Sequence, residues 1–260
     1  MKIWWQSAMD LYINPAWKDY TENLKTLLGE IVRSDTKITV HGTEAFSPLI
    51  EKSRYVELLI QPQIVKAAIR AQDEGYDAFC LGCTTDAGYH ETREAVDIIV
   101  CYLSEVSMHL ASILGHRFAL LHYSNLLSQP IADLAQRYGL KDNFVPSRSF
   151  DIKLTDLQRG FDNPQIILDA ATKVAEEAAQ NGAGMLITGC GVMNMILRKH
   201  GITEIGGVPV LEGNGALVKT AELLMDLKKL GIKRSKLAFP PLTKAELAEI
   251  KKTFSNISLA

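Results

Sequence analysis

Two segments of this chain follow the same pattern, and that internal repeat limits the folds available to it. Residues 75–83 read GYDAFCLGC and residues 182–190 read GAGMLITGC, so equal spacing separates each opening glycine from the closing cysteine. In both segments a glycine typical of a helix end precedes a short apolar run that predicts a buried strand. The repeat predicts two similar α/β halves, one built on Cys83 and the other on Cys190.

Predicted strands and helices alternate along the chain. Short apolar or β-branched runs predict strands over residues 2–6, 37–41, 77–81, 98–101, 117–122, 185–188 and 208–211. Helical spacing predicts helices over 14–28, ended by Gly29, and over 60–72, 104–114, 129–138, 164–180 and 216–230, and a last helix opened by Thr243. This alternation is typical of parallel sheets. The predicted fold class is α/β, with two pseudo-symmetric halves, parallel-type sheets and the active-site cleft between them.

The order of these elements also predicts how the chain is divided between the halves. We expect residues 1–105 to form a first α/β domain carrying Cys83, and residues 106–211 a second carrying Cys190. Residues 212–260 are expected to return to the first domain. Their helices follow the second cysteine turn, where the first half still needs a cover for its sheet.

Composition excludes several classes of protein. The chain has 260 residues, and its 28 Lys+Arg against 30 Asp+Glu give a net charge of −2, which argues against a nucleic-acid-binding domain. The uncharged stretch 178–197 is too polar and too rich in glycine for a membrane span, and the N-terminus lacks a signal-like apolar core. Four cysteines form no disulfide framework, so we expect a reducing, cytoplasmic location.

Polar and thiol side chains follow the predicted strands. Ser7, Cys83, Ser124 and Cys190 each come one or two residues after one, and ligands of open parallel sheets bind beyond the carboxyl ends of the strands. We expect the two Gly-Cys turns to meet across one cleft. The glycines before the cysteines would let backbone approach a ligand closely, and amides of the following turn or helix would point at it.

Two facing thiols are suited to moving a proton from one face of a carbon to the other. One cysteine must begin as thiolate and the other as thiol, and a helix N-terminus would promote ionisation of either. Turn amides would stabilise the charge that develops on a neighbouring carbonyl oxygen. This scheme requires no metal and no organic cofactor.

The remaining cysteines have simpler interpretations. Cys80 and Cys83 form a Cys-x-x-Cys pair, but Cys80 lies inside an apolar strand run rather than at a helix start. A zinc site would need further ligands, and the chain has no second Cys-x-x-Cys. We therefore expect Cys80 and Cys101 to pack as small hydrophobic residues.

With these motifs in place, the chain resembles the aspartate/glutamate/hydantoin racemase superfamily, closest to its hydantoin racemase-like branch. The resemblance covers most of residues 1–225. It is carried by LGCTTD at 81–86, TGCG at 188–191, SPLIE at 47–51, the span 104–120 and VPVLE at 208–212. The sequence departs from the family pattern in its first loop, 5–8, where the family has an Asn-Pro-Asn-Thr-like run, and at 211–212, which is commonly Ile-Asp.

The resemblance implies cofactor-independent racemisation or epimerisation, with Cys83 and Cys190 as the acid/base pair, no bound metal, and a homo-oligomer, either dimer or tetramer. The implied substrate is a small compound with an acidic carbon next to a carbonyl, such as a 5-substituted hydantoin, an allantoin-like ureide or an amino-acid derivative. The substrate-binding residues expected on this basis are Gln6, Ser7, Pro48, Thr84, Thr85, His122, Ser124, Gly191, Val192 and Glu212.

Some alternatives stay open at this point. His122 is interpreted equally well as a cleft residue or as a loop histidine bonded to backbone, and Glu212 as a cleft acid or a solvated loop residue. The same fold could serve a maleate isomerase-like or arylmalonate decarboxylase-like enzyme, although two cysteines disfavour the decarboxylase. A two-half α/β protein with a central cleft could also be a non-catalytic metabolite-binding protein.

Overall fold

The first half is a four-stranded parallel sheet. The computed structural model describes residues 1–254, apart from the side chains of Glu51 and Thr155. Strands β1 (Lys2–Gln6), β2 (Lys37–His41), β3 (Ala78–Leu81) and β4 (Ile99–Tyr102) lie in the order β2-β1-β3-β4. Every neighbouring pair is parallel, as predicted. The β1 and β3 runs are almost wholly buried, which explains their continuous apolar sequences.

The second half is also a four-stranded sheet, but one of its strands is antiparallel. Strands β5 (Phe118–Leu121), β6 (Met185–Thr188) and β8 (Val208–Leu211) are parallel, and the two-residue β7 (Glu204–Ile205) pairs antiparallel with β8. The order is β5-β6-β8-β7. The sequence did not predict β7. The Gly206-Gly207 turn that joins β7 to β8 has positive φ at both glycines, a geometry that favours a tight hairpin.

Helices cover both faces of each sheet. In chain order they are α1 (Lys18–Ile31), α2 (Arg54–Asp73), α3 (Tyr89–Ala95), α4 (Leu103–Gly115), α5 (Ser128–Arg137), α6 (Leu154–Leu157), α7 (Gln165–Gln180), α8 (Gly191–Lys199), α9 (Gly213–Lys229) and α10 (Lys244–Thr253). Short 3₁₀ turns span Pro15–Trp17, Pro48–Glu51, Asn125–Leu127 and Gln158–Phe161. None of the helices within residues 1–254 is long and apolar enough to cross a membrane.

The helix that follows each sheet packs on the opposite sheet. Helix α4 leaves β4 of the first sheet and packs against β5 and β6 of the second, whereas α9 leaves β8 of the second sheet and packs against β3 and β4 of the first. The two helices also pack against each other. As a result, one hydrophobic core runs through both halves, with smaller cores under α2 and under α4 and α5.

Several helix ends differ from the sequence prediction, and local contacts explain them. Gly29 lies inside α1 and does not end it; one interior glycine costs a helix only about 1 kcal/mol, and the buried Leu27 and Leu28 hold this turn against the core. Helix α2 begins at Arg54, earlier than predicted, because the Ser53 hydroxyl accepts the Tyr55 N–H as its cap. The predicted capping box of α10, Thr243 with Glu246, is confirmed.

Candidate active site

The two Gly-Cys turns meet at the centre of the molecule. Cys83 follows β3 and Cys190 follows β6, the matching strands of the two sheets. The Thr84 hydroxyl donates a hydrogen bond to the Gly189 carbonyl oxygen across the gap, at 3.0 Å. Between the turns lies a cavity of about 70 Å³ that both cysteines line. The expected meeting of the two turns across one cleft is thus confirmed.

The glycines before the cysteines serve the packing of the protein itself. A Cβ on Gly82 would lie 1.9 Å from Cζ2 of Trp5, and one on Gly189 would lie 2.8 Å from the Leu121 carbonyl oxygen. Both glycines also line the cavity, so the expectation that their backbone lies close to a bound ligand stays a prediction. The space beside each α-carbon is already filled by the neighbouring strand, β1 or β5.

Cys83 lies in a turn and not at a helix start. Residues 84–88 separate it from α3, so no helix N-terminus promotes its ionisation, contrary to the expectation for both thiols. Its Sγ lies 3.3 Å from the Thr85 hydroxyl. Burial raises the pKa of the Cys83 thiol to about 11, and this outweighs the opposing hydrogen bonds to Thr85. With this raised pKa, Cys83 is a protonated thiol at neutral pH.

Cys190 has a different setting. It is the N-cap residue of α8, with extended backbone (φ −161°, ψ 134°), and it is partly buried. The N–H groups of the first turn of α8 have no partner within the helix, and the positive end of the helix dipole lies beside the sulfur. Such a position stabilises a negative charge. The two thiols are therefore equivalent in topology but not in electrostatics.

The rest of the cavity wall is mostly apolar. Besides the thiols, Ser7, Thr84, Thr85 and Gly191 of the predicted site line it, and the Ser7 hydroxyl accepts the Met9 N–H at 3.0 Å. The other side chains around it are Ala8, Met9, Tyr20, Phe46, Ile50, Tyr123, Leu127 and Leu154. None of the described residues that line the cavity carries a charged side chain.

Three further residues expected to bind substrate lie just outside this wall. Gln6 is buried, where its side-chain oxygen accepts the Trp4 indole N–H and its amide nitrogen donates to the Ser7 carbonyl, both at 2.8 Å. Pro48 is exposed and opens a 3₁₀ turn, and Phe46 and Ile50 of the same loop reach the cavity in its place.

Val192 is fully buried in the core, one residue beyond the cavity wall.

The side chains of the other three expected residues form hydrogen bonds with backbone groups. His122 is buried, and its ring nitrogens lie 3.0 Å from the carbonyl oxygens of Ser124 and Ser147, which is the backbone-bonded alternative. The Ser124 hydroxyl accepts the Leu126 N–H. Glu212 caps α9, with its carboxylate oxygens accepting the N–H groups of Asn214 and Gly215. This cap is why α9 begins at Gly213, earlier than predicted.

Sequence reasoning missed much of the cavity wall. Tyr20 shares the helical spacing of the buried Leu24 and Leu27, so the sequence alone indicates a core residue of α1. Tyr123 lies two residues after the end of β5, and a position close after a strand is a usable signal. Phe46, Ile50 and Leu154 lie in loops and short turns with no period, so only the three-dimensional structure brings them together.

Two other cavities lie apart from the thiols. One of about 320 Å³ lies between α9 and the edge strand β4, lined by residues such as Ile99, Leu224 and Ile232. A polar one of about 150 Å³ borders Thr85 and is lined by charged side chains including Glu57 and Arg137. Among the residues that the structure describes, no group of three or more His, Cys, Asp and Glu side chains could hold a metal ion.

Known proteins share this sequence pattern and fold. The family model described as Asp/Glu/Hydantoin racemase matches residues 12–221. A hydantoin racemase from Pseudomonas sp. (strain NS671) is 28% identical over 221 residues, 85% of this chain and 86% of that protein. One from Rhizobium meliloti is 24% identical over 189 residues, 73% of this chain and 77% of that protein.

Solved structures share the two-half fold. The allantoin racemase from Pseudomonas fluorescens superimposes with a TM-score of 0.75 at 20% identity, covering 94% of this chain and 99% of that one. Glutamate racemase from Francisella tularensis gives a TM-score of 0.62 at 16% identity, covering 99% and 97%. Sequence and fold agree, and the chain belongs to the Asp/Glu/hydantoin racemase family, whose named members are isomerases.

Proposed function

We propose that this protein is a cofactor-independent racemase of a small, uncharged compound with an acidic carbon next to a carbonyl, foremost a 5-substituted hydantoin. The observation that carries the proposal is the shared cavity: Cys83 and Cys190 line it together, and no charged side chain is among its described lining residues. The hydantoin racemases among its relatives support the same reaction type.

The character of the wall selects among the candidate substrates. A free amino acid would bring an ammonium and a carboxylate group into a cavity with no opposite charge for either of them. Removing both charged groups from water would then carry a high desolvation cost. A ureide substituent, as in allantoin, is polar and would face Phe46, Ile50 and Leu154. A hydantoin with an apolar substituent matches those side chains, and its ring polar groups match the hydroxyls of Ser7 and Thr85.

The asymmetry of the thiols sets the direction of the first step. With Cys83 held as a thiol, the thiolate that removes the substrate proton in the resting enzyme is Cys190, beside the N-terminus of α8. The electron pair of the C–H bond moves into an enolate, and carbon then takes a proton from the Cys83 thiol on the other face. The enantiomer formed reacts in reverse, starting from a Cys83 thiolate.

The test is exchange of the substrate α-proton in deuterated water, followed for each enantiomer of a 5-substituted hydantoin by NMR and chiral chromatography. We expect Cys83→Ser and Cys190→Ser to abolish racemisation, each retaining exchange of one enantiomer only, and of opposite hands, because serine is too weak an acid to replace a thiolate. Exchange in Cys190→Ser requires the Cys83 thiolate, so it should be slow at neutral pH and increase as the pH rises toward 11. Cys101→Ser, a change of a buried thiol outside the cavity, is the control and should racemise normally.

Retained racemisation in either single cysteine variant would overturn the two-thiol mechanism. Loss of exchange for both hands in both variants would mean that one thiol sets the charge of the other. A parent protein inactive on every hydantoin tested would overturn the proposed function.

The other functions considered for this fold are less well supported. The cavity has two cysteines, whereas an arylmalonate decarboxylase-like reaction needs one. Maleate is a dianion, and no cation is among the described lining residues to receive it. A non-catalytic metabolite-binding role leaves the pairing of two thiols unexplained, and product analysis of a substrate panel separates all three.

The division into domains follows the packing of the exchanged helices. We propose that residues 1–105 with 212–260, and residues 106–211, form the two domains, supported by the packing of α9 on the first sheet and of α4 on the second.

For assembly we propose a homo-oligomer, dimer or tetramer, in the cytoplasm. Ile113 and Leu114 at the end of α4 are 75% and 64% exposed, an apolar surface that a second copy would cover. None of the four cysteines forms a disulfide, which fits a reducing compartment. Sedimentation showing only monomer at micromolar concentration would refute the oligomer.

A further inference from the structure

The hydroxyl group of Tyr20 is buried beside both thiols and has no hydrogen-bond partner. Tyr20 lies on α1, is 0% exposed, and lines the cavity that Cys83 and Cys190 line. Among the described residues no group accepts its proton or donates to its oxygen. A buried hydroxyl left unpaired costs about 1–3 kcal/mol, so such a group is typically retained where a ligand supplies the missing partner.

The backbone around this hydroxyl is shaped to admit it. A Cβ on Gly191, the first residue of α8, would lie 2.9 Å from the Tyr20 oxygen. Glycine at this position therefore leaves the hydroxyl its place beside the N-terminus of α8. The ring of Tyr20 packs into the core shared by the two halves, which holds the oxygen in position.

The hydroxyl keeps its proton under all working conditions. Burial, and after it the negative charges of Cys190 and Cys83 when they ionise, raise the pKa of Tyr20 well above its usual value. Tyr20 and both cysteines line the same cavity. Tyr20 is therefore a fixed hydrogen-bond donor in the cavity that both proton-transferring groups line, and not a third base.

We propose that Tyr20 is a catalytic residue whose O–H donates a hydrogen bond to the substrate carbonyl oxygen as that oxygen becomes an enolate oxygen. This inference rests on the proposed racemisation. A donor aimed at the atom where charge develops stabilises the transition state more than the bound substrate. Because Tyr20 lines the same cavity as both thiols, it can serve both directions of the reaction.

The electron and proton movements balance without a transfer from Tyr20. A cysteine thiolate takes the proton from the acidic carbon, the electron pair of that bond forms the carbon–carbon double bond, and the carbonyl π pair moves to oxygen. Tyr20 stabilises that oxygen by a hydrogen bond and keeps its own proton. The pairs then return, and carbon takes a proton from the opposite thiol, which becomes thiolate.

Tyr20→Phe removes only the oxygen and tests the proposal directly. We expect kcat for hydantoin racemisation to fall about 10²–10³-fold with KM little changed, in both directions, which is typical of losing one oxyanion donor. Stability in urea should be unchanged or higher, because the hydroxyl has no partner to lose.

The matched control is Tyr102→Phe. Tyr102 is equally buried, but its hydroxyl donates to the Gly88 carbonyl at 2.7 Å, away from the cavity wall. This variant should lose stability and keep kcat.

Each other outcome is decisive. If the parent protein is active and Tyr20→Phe is equally active, this inference is overturned and the proposed function is not. A rise in KM with kcat unchanged would also overturn the inference, because Tyr20 would then only bind the substrate. A stability loss like that of Tyr102→Phe would mean that the hydroxyl is already partnered in the empty protein. A parent inactive on all hydantoins would overturn the proposed function and this inference with it.

Discussion

At the scale of single residues, Cys83 and Cys190 occupy matching turns of a repeated sequence but have unlike surroundings. Cys83 is held as a thiol by burial, whereas Cys190 lies at the positive end of α8. A two-base racemase needs one thiol and one thiolate at the start of each turnover, and two identical environments would leave that assignment open. In the proposed mechanism, the unequal surroundings would assign these two states before substrate binds.

Alkylation of Cys83 should therefore depend steeply on pH. Because the pKa of Cys83 is raised to about 11, its labelling by iodoacetamide in the empty protein should be slow at neutral pH and rise about tenfold per pH unit up to that value. Peptide-level mass spectrometry measures the rate for each cysteine, and the buried Cys80 and Cys101 serve as unreactive references. A labelling rate for Cys83 that levels off below pH 8 would contradict this assignment.

The same raised pKa predicts a pH effect on stability. The folded value, about 11, lies above the usual 9.0, so the contribution of Cys83 to the free energy of unfolding is intact below pH 9 and decreases as pH rises toward 11. Urea denaturation across this range should show a smaller decrease in Cys83→Ser than in the parent protein. Equal decreases in the two proteins would argue against the shift.

At the scale of elements, glycine has different structural roles in α1 and in the turn after β3. Gly29 is in the interior of α1, and a Cβ there would meet nothing within 4 Å, whereas one on Gly82 would overlap the Trp5 ring. The helix tolerates its glycine, while the turn depends on its own.

The same substitution should therefore stabilise one site and destabilise the other. Gly29→Ala should raise the free energy of unfolding by about 0.5–1 kcal/mol, because alanine is the better helix former. Gly82→Ala should lower it by about 1–3 kcal/mol through overpacking, and more if Trp5 cannot move. Urea denaturation of both variants and the parent protein measures the two changes in unfolding free energy. Equal changes in the two variants would contradict this account.

Thr84 links the two cysteine turns by a single hydrogen bond, from its hydroxyl to the Gly189 carbonyl. Thr84→Val keeps the shape but removes the donor, so we expect a loss of about 1–3 kcal/mol in unfolding free energy and a lower kcat as the thiols lose alignment. Thr84→Ser keeps the hydroxyl and should restore most of both. If the serine variant behaves like the valine variant, the methyl packing matters and the bond does not.

Sequence patterns predicted the central strands and the two thiols because both depend on local signals. Fully buried strands read as short apolar runs, and the Gly-Cys ends of β3 and β6 mark the site. The patterns did not predict α3, β7 or the residues Phe46 and Leu154 of the cavity wall. Those depend on contacts between distant segments. Tyr20 has the sequence spacing of a core residue, although it also lines the cavity.

At the scale of the whole molecule, the exchange of α4 and α9 couples the halves. The first sheet is covered on one side by α1 and α9 and the second by α4 and α5, so neither sheet is covered by its own chain segment alone. Domains that share a core in this way are expected to unfold together.

Unfolding should accordingly be a single transition. The three tryptophans, Trp4, Trp5 and Trp17, all lie in the first half and are buried, so their fluorescence reports on that half only. Far-UV circular dichroism reports on both. We expect the two signals to change at the same urea concentration, and separate midpoints would show halves that unfold independently.

The crossing of these helices has a practical consequence for recombination with relatives. A chimera that takes its second half from another family member by cutting after α4 would import a sheet whose covering helix stays behind, and one cut after α9 would carry away the cover of the first sheet. Junctions near residues 102 and 212 instead move each sheet together with the helix that shields it. Hybrid proteins joined there should keep native contacts on both faces of each sheet. They are therefore suited to replacing the surroundings of Cys190 with those of the matching cysteine in a relative.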